Sequence, residues 1–222
     1  MHCILRVARA VSDLRMGLLN LLKRAPKDPT ERFWAWFEKN KEDVAVLLSD
    51  RKRGMAAYER LTTEIQRVHE SIMPEVTGDG DENNVLVISA GGIREAVPAV
   101  IALAEAAPRL VGWRIERFRS PRLEGTTINY QGLEVDPGSI QVATRFDEKE
   151  PLIHVGLVIP GYQEEDKRYL AVAFLYLDHT IGEYNTIMHV GRVNLFASNT
   201  LPAGTGLTGL AQLRETIETH FY

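Results

Sequence analysis

Cysteine is nearly absent from the 222-residue sequence, which has Cys3 alone. A single thiol excludes an intramolecular disulfide framework and any zinc or iron–sulfur site built from several cysteines. Such a composition is typical of a protein from a reducing compartment. We therefore expect a cytoplasmic protein.

Long apolar runs are missing as well, since no stretch approaches the roughly 20 residues that a transmembrane helix needs. The opening "MHCILRVARAVSDLRMGLLNLLKR" is interrupted by arginines, and no small-x-small cleavage site follows, which excludes an ordinary signal peptide. We predict that residues 1–27 form a basic extension. It is a packing helix, a helix on a membrane surface, or a leader whose translation begins at Met16; packing or fraying is favoured over membrane contact.

Acidic residues outnumber basic residues outside this extension. The whole chain has a net charge of −4, but residues 1–27 contribute +5, so residues 28–222 carry −9. So acidic a body is a poor polyanion binder, and we expect no nucleic-acid partner.

Common catalytic motifs are absent too. The sequence has no G-x-S-x-G, no zincin pattern, no Walker loop and no dinucleotide fingerprint. "VISAGGIRE" nevertheless places Ser89, Gly91, Gly92 and Arg94 at a strand-to-helix turn, where free backbone N–H groups can bind an anion. A tight turn is the favoured interpretation, because only two adjacent glycines are present.

Residues 28–72 predict a helical hairpin. In "DPTE", Asp28 is the expected N-cap, Pro29 the first helical residue and Glu31 the capping-box partner. Two apolar stripes at helical spacing follow, separated by a break at residues 50–54. The first contains Phe33, Trp36, Phe37, Val44, Leu47 and Leu48, and the second Met55, Tyr58, Leu61, Ile65, Val68 and Ile72.

Four aromatic residues lie close together in "ERFWAWFEKN". Phe33, Trp36 and Phe37 fit the buried stripe, whereas Trp34 is rotated away from it and is expected to be more exposed. The favoured interpretation is a packing anchor. The alternative is a partly exposed patch of Trp34, Trp36 and Phe37 that binds a partner protein.

Residues 73–222 predict an α+β body, which together with the hairpin forms one compact domain over residues 28–222. Strands are predicted in "NVLVIS", "GWRIERF", residues 140–146, "LIHVGLVIP" and "YNTIMHVGRVNLF", with a hairpin turning at Gln131-Gly132. Helices are predicted near residues 93–104 and 163–181, and at the C-terminus. The order indicates imperfectly duplicated strand-strand-helix-strand units, in a mostly antiparallel sheet with helices on one face.

The segment "LDHTIGEYNTIMHVG" contains Asp178, His179, Glu183 and His189, side chains that suit a metal site or a general acid–base pair. The favoured interpretation is structural. Gly182 ends a helix in a left-handed conformation, His179 lies in the last turn, where its protonated form suits the helix dipole, and a strand begins by about Ile187. The alternative stays open because a carboxylate at Asp178 is disfavoured near a helix C-terminus.

Histidines also raise the question of a metal. His154 and His189 both fall in predicted strands and, with Asp178, could ligate zinc on one sheet face. No tight ligand spacing supports such a site. We therefore predict neither a bound metal nor a cofactor.

Three segments of the chain, "DPTERFWAWF", "LVISAGGIREAVPAV" and "YLDHTIGEYN", are informative together. With their FWxWF, VISAGG and LDHxxGEY-like patterns they resemble a family of bacterial proteins of unknown function over about residues 16–222. The resemblance implies a bacterial cytoplasmic protein and supplies neither an activity nor site residues.

These observations favour a non-enzymatic protein that acts by binding a protein partner or by self-association, as a regulatory module does. The alternative is a metal-dependent or acid–base hydrolase that uses Asp178, His179, Glu183 and His189. The two hypotheses differ in whether these four side chains converge in a cleft.

Overall fold

The fold is described from a computed structural model that covers residues 28–78, 83–122, 127–197 and 206–222. The predicted basic extension and the start at Met16 lie outside these residues. Element labels below follow chain order within the described residues.

The helical hairpin consists of α1 (Pro29–Ser49) and α2 (Arg51–Gln66). As predicted, Asp28 is the N-cap of α1, accepting a hydrogen bond from the Thr30 N–H, and Pro29 is the first helical residue. Asp50 ends α1 and caps α2 through the Arg53 N–H. A Cβ on Gly54 would lie 2.4 Å from the Leu47 Cα, so glycine is required where the two helices meet.

The first sheet contains β1 (Met73–Gly78), β2 (Asn84–Ser89) and β3 (Trp113–Arg117), in that order. β1 and β2 pair antiparallel, and β2 and β3 pair parallel, with α3 (Val97–Glu105) between them in the chain. A short 3-10 turn, Arg94–Ala96, precedes α3. No strand was predicted at β1. Its Pro74 is tolerated because β1 is an edge strand of the sheet, and the Pro74 carbonyl accepts a hydrogen bond from the Tyr58 hydroxyl.

A small hairpin joins the two halves of the body. It consists of β4 (Ile128–Tyr130) and β5 (Leu133–Val135). Gln131 and Gly132 have φ values of 49° and 79°, the positive values that a two-residue type I′ turn requires at both central positions. The predicted turn is confirmed.

The second sheet contains β6 (Gln141–Phe146), β7 (Ile153–Val158) and β8 (Val190–Phe196). β6 and β7 pair antiparallel and β7 and β8 pair parallel, as in the first sheet. α4 (Arg168–Ile181) and α5 (Glu183–His189) lie between β7 and β8, and α6 (Leu210–Phe221) closes the chain. The predicted α+β fold, with its duplicated strand-strand-helix-strand unit and helical hairpin, is confirmed.

Two apolar cores follow this division. The first is built by the hairpin, the first sheet and α3, and the second by the β4–β5 hairpin, the second sheet, α4 and α6. Ile187 of α5 belongs to the first core, although α5 lies in the second half of the sequence. The chain therefore crosses between the halves at α5.

In the part of the chain that the structure describes, no helix is both long enough and apolar enough to cross a bilayer.

Candidate functional site: an ion cluster between the two halves

The segment that holds the predicted acid–base residues is two helices separated by a glycine. α4 ends at Ile181, and Gly182 has a φ of 83°, so the predicted positive-φ stop is confirmed. The strand predicted to begin by about Ile187 is wrong, because Glu183–His189 is helical and β8 begins at Val190. Tyr184, Ile187 and Met188 have the spacing of one helix face, and all three contact the first core.

Glu183 is the most deeply buried charged residue of this segment, with 0% of its surface exposed. Its Oε1 accepts a hydrogen bond from the Ser89 hydroxyl (2.8 Å), and its Oε2 accepts from the Arg119 N–H (3.0 Å). The Glu183 N–H donates to the Arg119 carbonyl in return (2.9 Å). These bonds, which cross between the halves, satisfy a carboxylate whose burial would otherwise be costly.

The Arg119 guanidinium gathers three carboxylates. It pairs with Glu75 of β1 through Nε, and its Nη1 lies 3.2 Å from Asp178 and 3.8 Å from Glu183. Burial alone lowers the pKa of Arg119, but Glu75, Glu183 and Asp178 together raise it above its ordinary value. We refer to Glu75, Ser89, Arg119, Asp178 and Glu183 as the Arg119 cluster.

The pKa of Asp178 is raised toward neutral pH. Asp178 is 8% exposed, and burial raises its pKa to about 6, with Glu183 adding to the effect and Arg119 opposing it. The Arg119 contact also explains how a carboxylate is tolerated near the end of α4, where the helix dipole disfavours it.

The two predicted histidines have other surroundings. Burial and the nearby Arg122 and Arg119 lower the pKa of His179, so its neutral form is favoured, contrary to the expectation of a protonated helix-end residue. His189 is the last residue of α5, not a strand residue as predicted; its ring stacks on Phe221 at 4.1 Å, and burial lowers its pKa.

His154 lies in β7, as predicted, but bonds within its own half. Its Nε2 contacts Asp147 at 3.1 Å, and its Nδ1 accepts from the Arg192 N–H. Asp178, which was considered as a zinc ligand together with His154 and His189, is paired with Arg119. Across the described ranges, no group of three or more His, Cys, Asp or Glu side chains is arranged to hold a metal ion.

The turn that contains Ser89 and Arg94 was considered as an anion site. In the structure its side chains form hydrogen bonds with α5. Ser89 accepts from the Gly91 N–H while it donates to the Glu183 carboxylate. Arg94 donates from Nη2 to the carbonyls of Ile187 (2.8 Å) and Met188 (3.0 Å) at the end of α5. Gly91 and Gly92 have φ values of 61° and 78°, as a tight turn with glycines requires.

The prediction for the tryptophans of α1 is wrong. Trp34 is only 4% exposed and donates from its indole N–H to the Leu103 carbonyl of α3 (2.9 Å), whereas Trp36 is half-buried. Phe37 is fully buried and packs edge-on against Trp113. The prediction assumed that α1 buries one apolar stripe. The buried surface of α1 is wider than that stripe, because α1 also contacts α3. Trp34 and Phe37 are therefore core residues in this structure.

Arg119 and Glu75 were not among the site residues predicted from the sequence. Each occupies an ordinary place after or within a strand, and the residues that Arg119 contacts are 44, 59 and 64 positions away in the chain. No local pattern can reveal pairs so distant. The available signals were the other members, Ser89, Asp178 and Glu183, each of which lies at the end of a regular element.

Comparison with known proteins adds no relative: no family model, no curated protein and no solved structure matches the chain.

Proposed function

We propose that this chain is a non-enzymatic module that binds another protein. The observation that carries the proposal is that the Arg119 cluster is satisfied from within. Glu183 accepts from Ser89 and from the Arg119 N–H, and the Arg119 guanidinium pairs with Glu75 and Asp178. Such an arrangement stabilises the junction between the two halves.

Accessibility supports the same interpretation. A general acid or base must come within hydrogen-bond reach of its substrate. Ser89 and Glu183 are 0% exposed and Asp178 is 8% exposed. A substrate would therefore have to displace the contacts of these three residues to reach them.

Apolar surface on the hairpin and on α4 supports a macromolecular partner. Leu48 and Met55 are exposed near the join of α1 and α2, and Leu170 and Phe174, one helical turn apart, are exposed on α4. Exposed apolar side chains that lie together are typical of contact surfaces. The net charge of −9 on residues 28–222 disfavours nucleic acid as that partner.

The proposed location is the bacterial cytoplasm. It rests on the single cysteine, which suits a reducing compartment, and on the resemblance to a bacterial family.

Acid–base hydrolysis at Asp178 is the second candidate function. It is favoured by one observation, the rise of the Asp178 pKa to about 6, since catalytic acids and bases are often tuned toward neutral pH. His179 is the adjacent residue, and burial lowers its pKa. A hydrolase of this kind would lose its turnover in Asp178→Asn while keeping its fold.

The test of the binding function is isolation of the native complex. The full chain, tagged at its C-terminus, is recovered from its own cells after mild cross-linking, and the bound proteins are identified by mass spectrometry. We expect one protein in near-equal amount that binds the purified chain again when both are mixed. Recovery of the chain alone at every expression level would contradict the proposal. Hydrolytic turnover abolished by Asp178→Asn would establish the alternative.

A further inference from the structure

A groove opens where α1 and α2 join and where β1 passes beneath them. It has a volume of about 410 Å³ and is lined by the apolar or aromatic side chains of Leu47, Leu48, Met55, Tyr58 and Val76. Arg51 and Glu75 also line it. Glu75 is paired with Arg119, so the wall of the groove is also the edge of the Arg119 cluster.

The groove continues the apolar stripes of the hairpin. Leu48 and Met55 fall on the stripes that the sequence assigns to buried faces, yet they are 43% and 38% exposed. Other members of the stripes, such as Val44 and Leu61, are fully buried in the first core. The stripes therefore extend past the core where α1 and α2 join, and the residues that the structure describes cover Leu48 and Met55 only in part.

Positive charge is concentrated beside this apolar surface. Arg51, Lys52 and Arg53 follow one another at the start of α2, and all three are exposed. Among the described ion pairs, none involves these side chains. Cations in the first turn of a helix oppose the helix dipole, so helix stability does not explain their position. These three residues form a positively charged patch, whereas residues 28–222 as a whole carry a net negative charge.

We propose that the groove docks an acidic amphipathic segment of a partner protein, in which a large apolar side chain is flanked by carboxylates. The apolar side chain enters between Leu48 and Met55, and the carboxylates pair with Arg51, Lys52 and Arg53. Glu75 does not repel them strongly, because Arg119 already neutralises it. This inference rests on the proposed binding function and names the chemistry of the partner.

Charge and apolar contact have separate roles in this docking. Exposed cations steer an acidic segment toward the groove and set its orientation, and that attraction weakens with salt. The apolar side chain contributes by removing Leu48 and Met55 from water, a contribution that salt does not screen. Both are needed, which distinguishes the site from a general anion-binding surface.

The test uses the full chain and four labelled peptides in fluorescence anisotropy. The first peptide has leucine and phenylalanine between glutamates; in the second, serine replaces the apolar residues; in the third, glutamine replaces the glutamates; in the fourth, lysine replaces them. We expect the first to bind at least about tenfold more tightly than each of the others, and binding to weaken as salt rises from about 50 to about 300 mM.

Matched variants locate the site. Met55→Glu and the double change Arg51→Glu, Arg53→Glu should each lower the affinity for the first peptide at least about tenfold. Leu170→Glu, an equally exposed apolar position on α4, and Arg145→Glu, an exposed cation on β6, should change it by less than about twofold. Unchanged circular dichroism confirms that each variant folds. Because all four changes are on the surface, loss of fold is not expected.

Several results would overturn the inference. Equal binding of the serine peptide would show a polyanion surface only, and equal binding of the glutamine or lysine peptide would show that the cations have no part. Concentration-dependent dimerisation that Met55→Glu abolishes would assign the groove to a second copy of the chain. If a native partner is isolated but Met55→Glu still binds it, the binding function stands and this site is wrong.

Discussion

The two halves of the body have the same strand order and directions but different chemistry where their central strands end. β2 ends at Ser89, and the residue that follows β3 by two positions is Arg119; both bind the Glu183 carboxylate. β7 ends at Val158, followed by Ile159; both are buried apolar residues, and Ile159 belongs to the second core. The repeated framework therefore supplies the fold. At these strand ends only the first copy has polar residues, and they bind Glu183 of the second copy.

The helices that cover the two sheets also differ. The first core is completed by the 21-residue α1 and the 16-residue α2, together with the nine-residue α3. The second core is covered by the 14-residue α4 and by α6. α5 departs from this division, since its buried side chains complete the core of the other half. We therefore expect disruption of α5 to weaken the contact between the two halves.

The largest effect is expected in the first core. Trp34→Ala should lower the free energy of unfolding by about 3–5 kcal/mol, because the indole is enclosed and its N–H is bonded to Leu103. Trp36→Ala should cost less, because Trp36 is half-buried. Urea denaturation followed by far-ultraviolet circular dichroism measures both. A larger loss for Trp36 would show that the face of α1 is misassigned.

The free energy of unfolding is expected to depend on pH through Asp178 at the junction. The folded state raises the pKa of Asp178 from 3.8 to about 6 by burial, so Asp178 binds its proton more tightly when the chain is folded. The resulting stability is fully present below about pH 4 and is lost as the pH rises through about 6. Relative to Asp178→Asn, the wild type should lose up to about 3 kcal/mol over this range.

Urea denaturation of wild type and Asp178→Asn between about pH 4 and about pH 8 measures this difference. Asp43→Asn, at an exposed position on α1 away from the junction, is the matched control for the removal of a carboxylate. A wild-type stability that rises with pH relative to Asp178→Asn would contradict the assignment, since it would require a lowered pKa.

A smaller loss is expected at the glycine between α4 and α5. Gly182 has φ 83° and ψ 150°, a region that residues with a Cβ rarely adopt, and an added Cβ would lie 3.0 Å from the Pro121 Cδ. Gly182→Ala should therefore cost about 1–3 kcal/mol. Gly78→Ala, where the nearest atom is 4.0 Å away and φ is not positive, should change stability little. Equal effects of the two changes in thermal unfolding would refute this role for Gly182.

No effect is expected from chelation. The purified chain should contain no stoichiometric zinc, and a chelator should leave its melting temperature unchanged, because no group of three or more His, Cys, Asp or Glu side chains among the described residues is arranged to hold a metal ion. Elemental analysis with calorimetry checks this. Near-equimolar zinc, lost together in a His179→Ala, His189→Ala double variant, would support the hydrolase.

Sequence patterns predicted the elements whose causes are local. The Asp28-Pro29 helix start, the Gln131-Gly132 turn and the break at Gly182 each follow from the conformational preferences of the residues themselves. The repeated unit was visible because apolar strands and amphipathic helices alternate in the same order in both halves.

What the sequence could not reveal depends on distant contacts. Tyr184 to His189 has aromatic and β-branched residues that suit a strand, but bonds from Ser89, Arg94 and Arg119 stabilise it as a helix. Trp34 is buried because α3 covers a second side of α1. The candidate site was predicted in part. Asp178 and Glu183 were identified together and Ser89 as part of a different feature, but Arg119, which contacts both carboxylates, carries no local signal.

The central claim is that α5 is held in the first half by the bonds between Glu183 and both Ser89 and Arg119. Hydrogen exchange of Glu183→Ala, followed by mass spectrometry, tests it most directly, with Glu218→Ala on the exposed surface of α6 as the control. Exchange should accelerate at least about tenfold in residues 183–189 and in β2, while β7 stays within about threefold of wild type. Equal acceleration in β2 and β7, or none in either, would contradict the account.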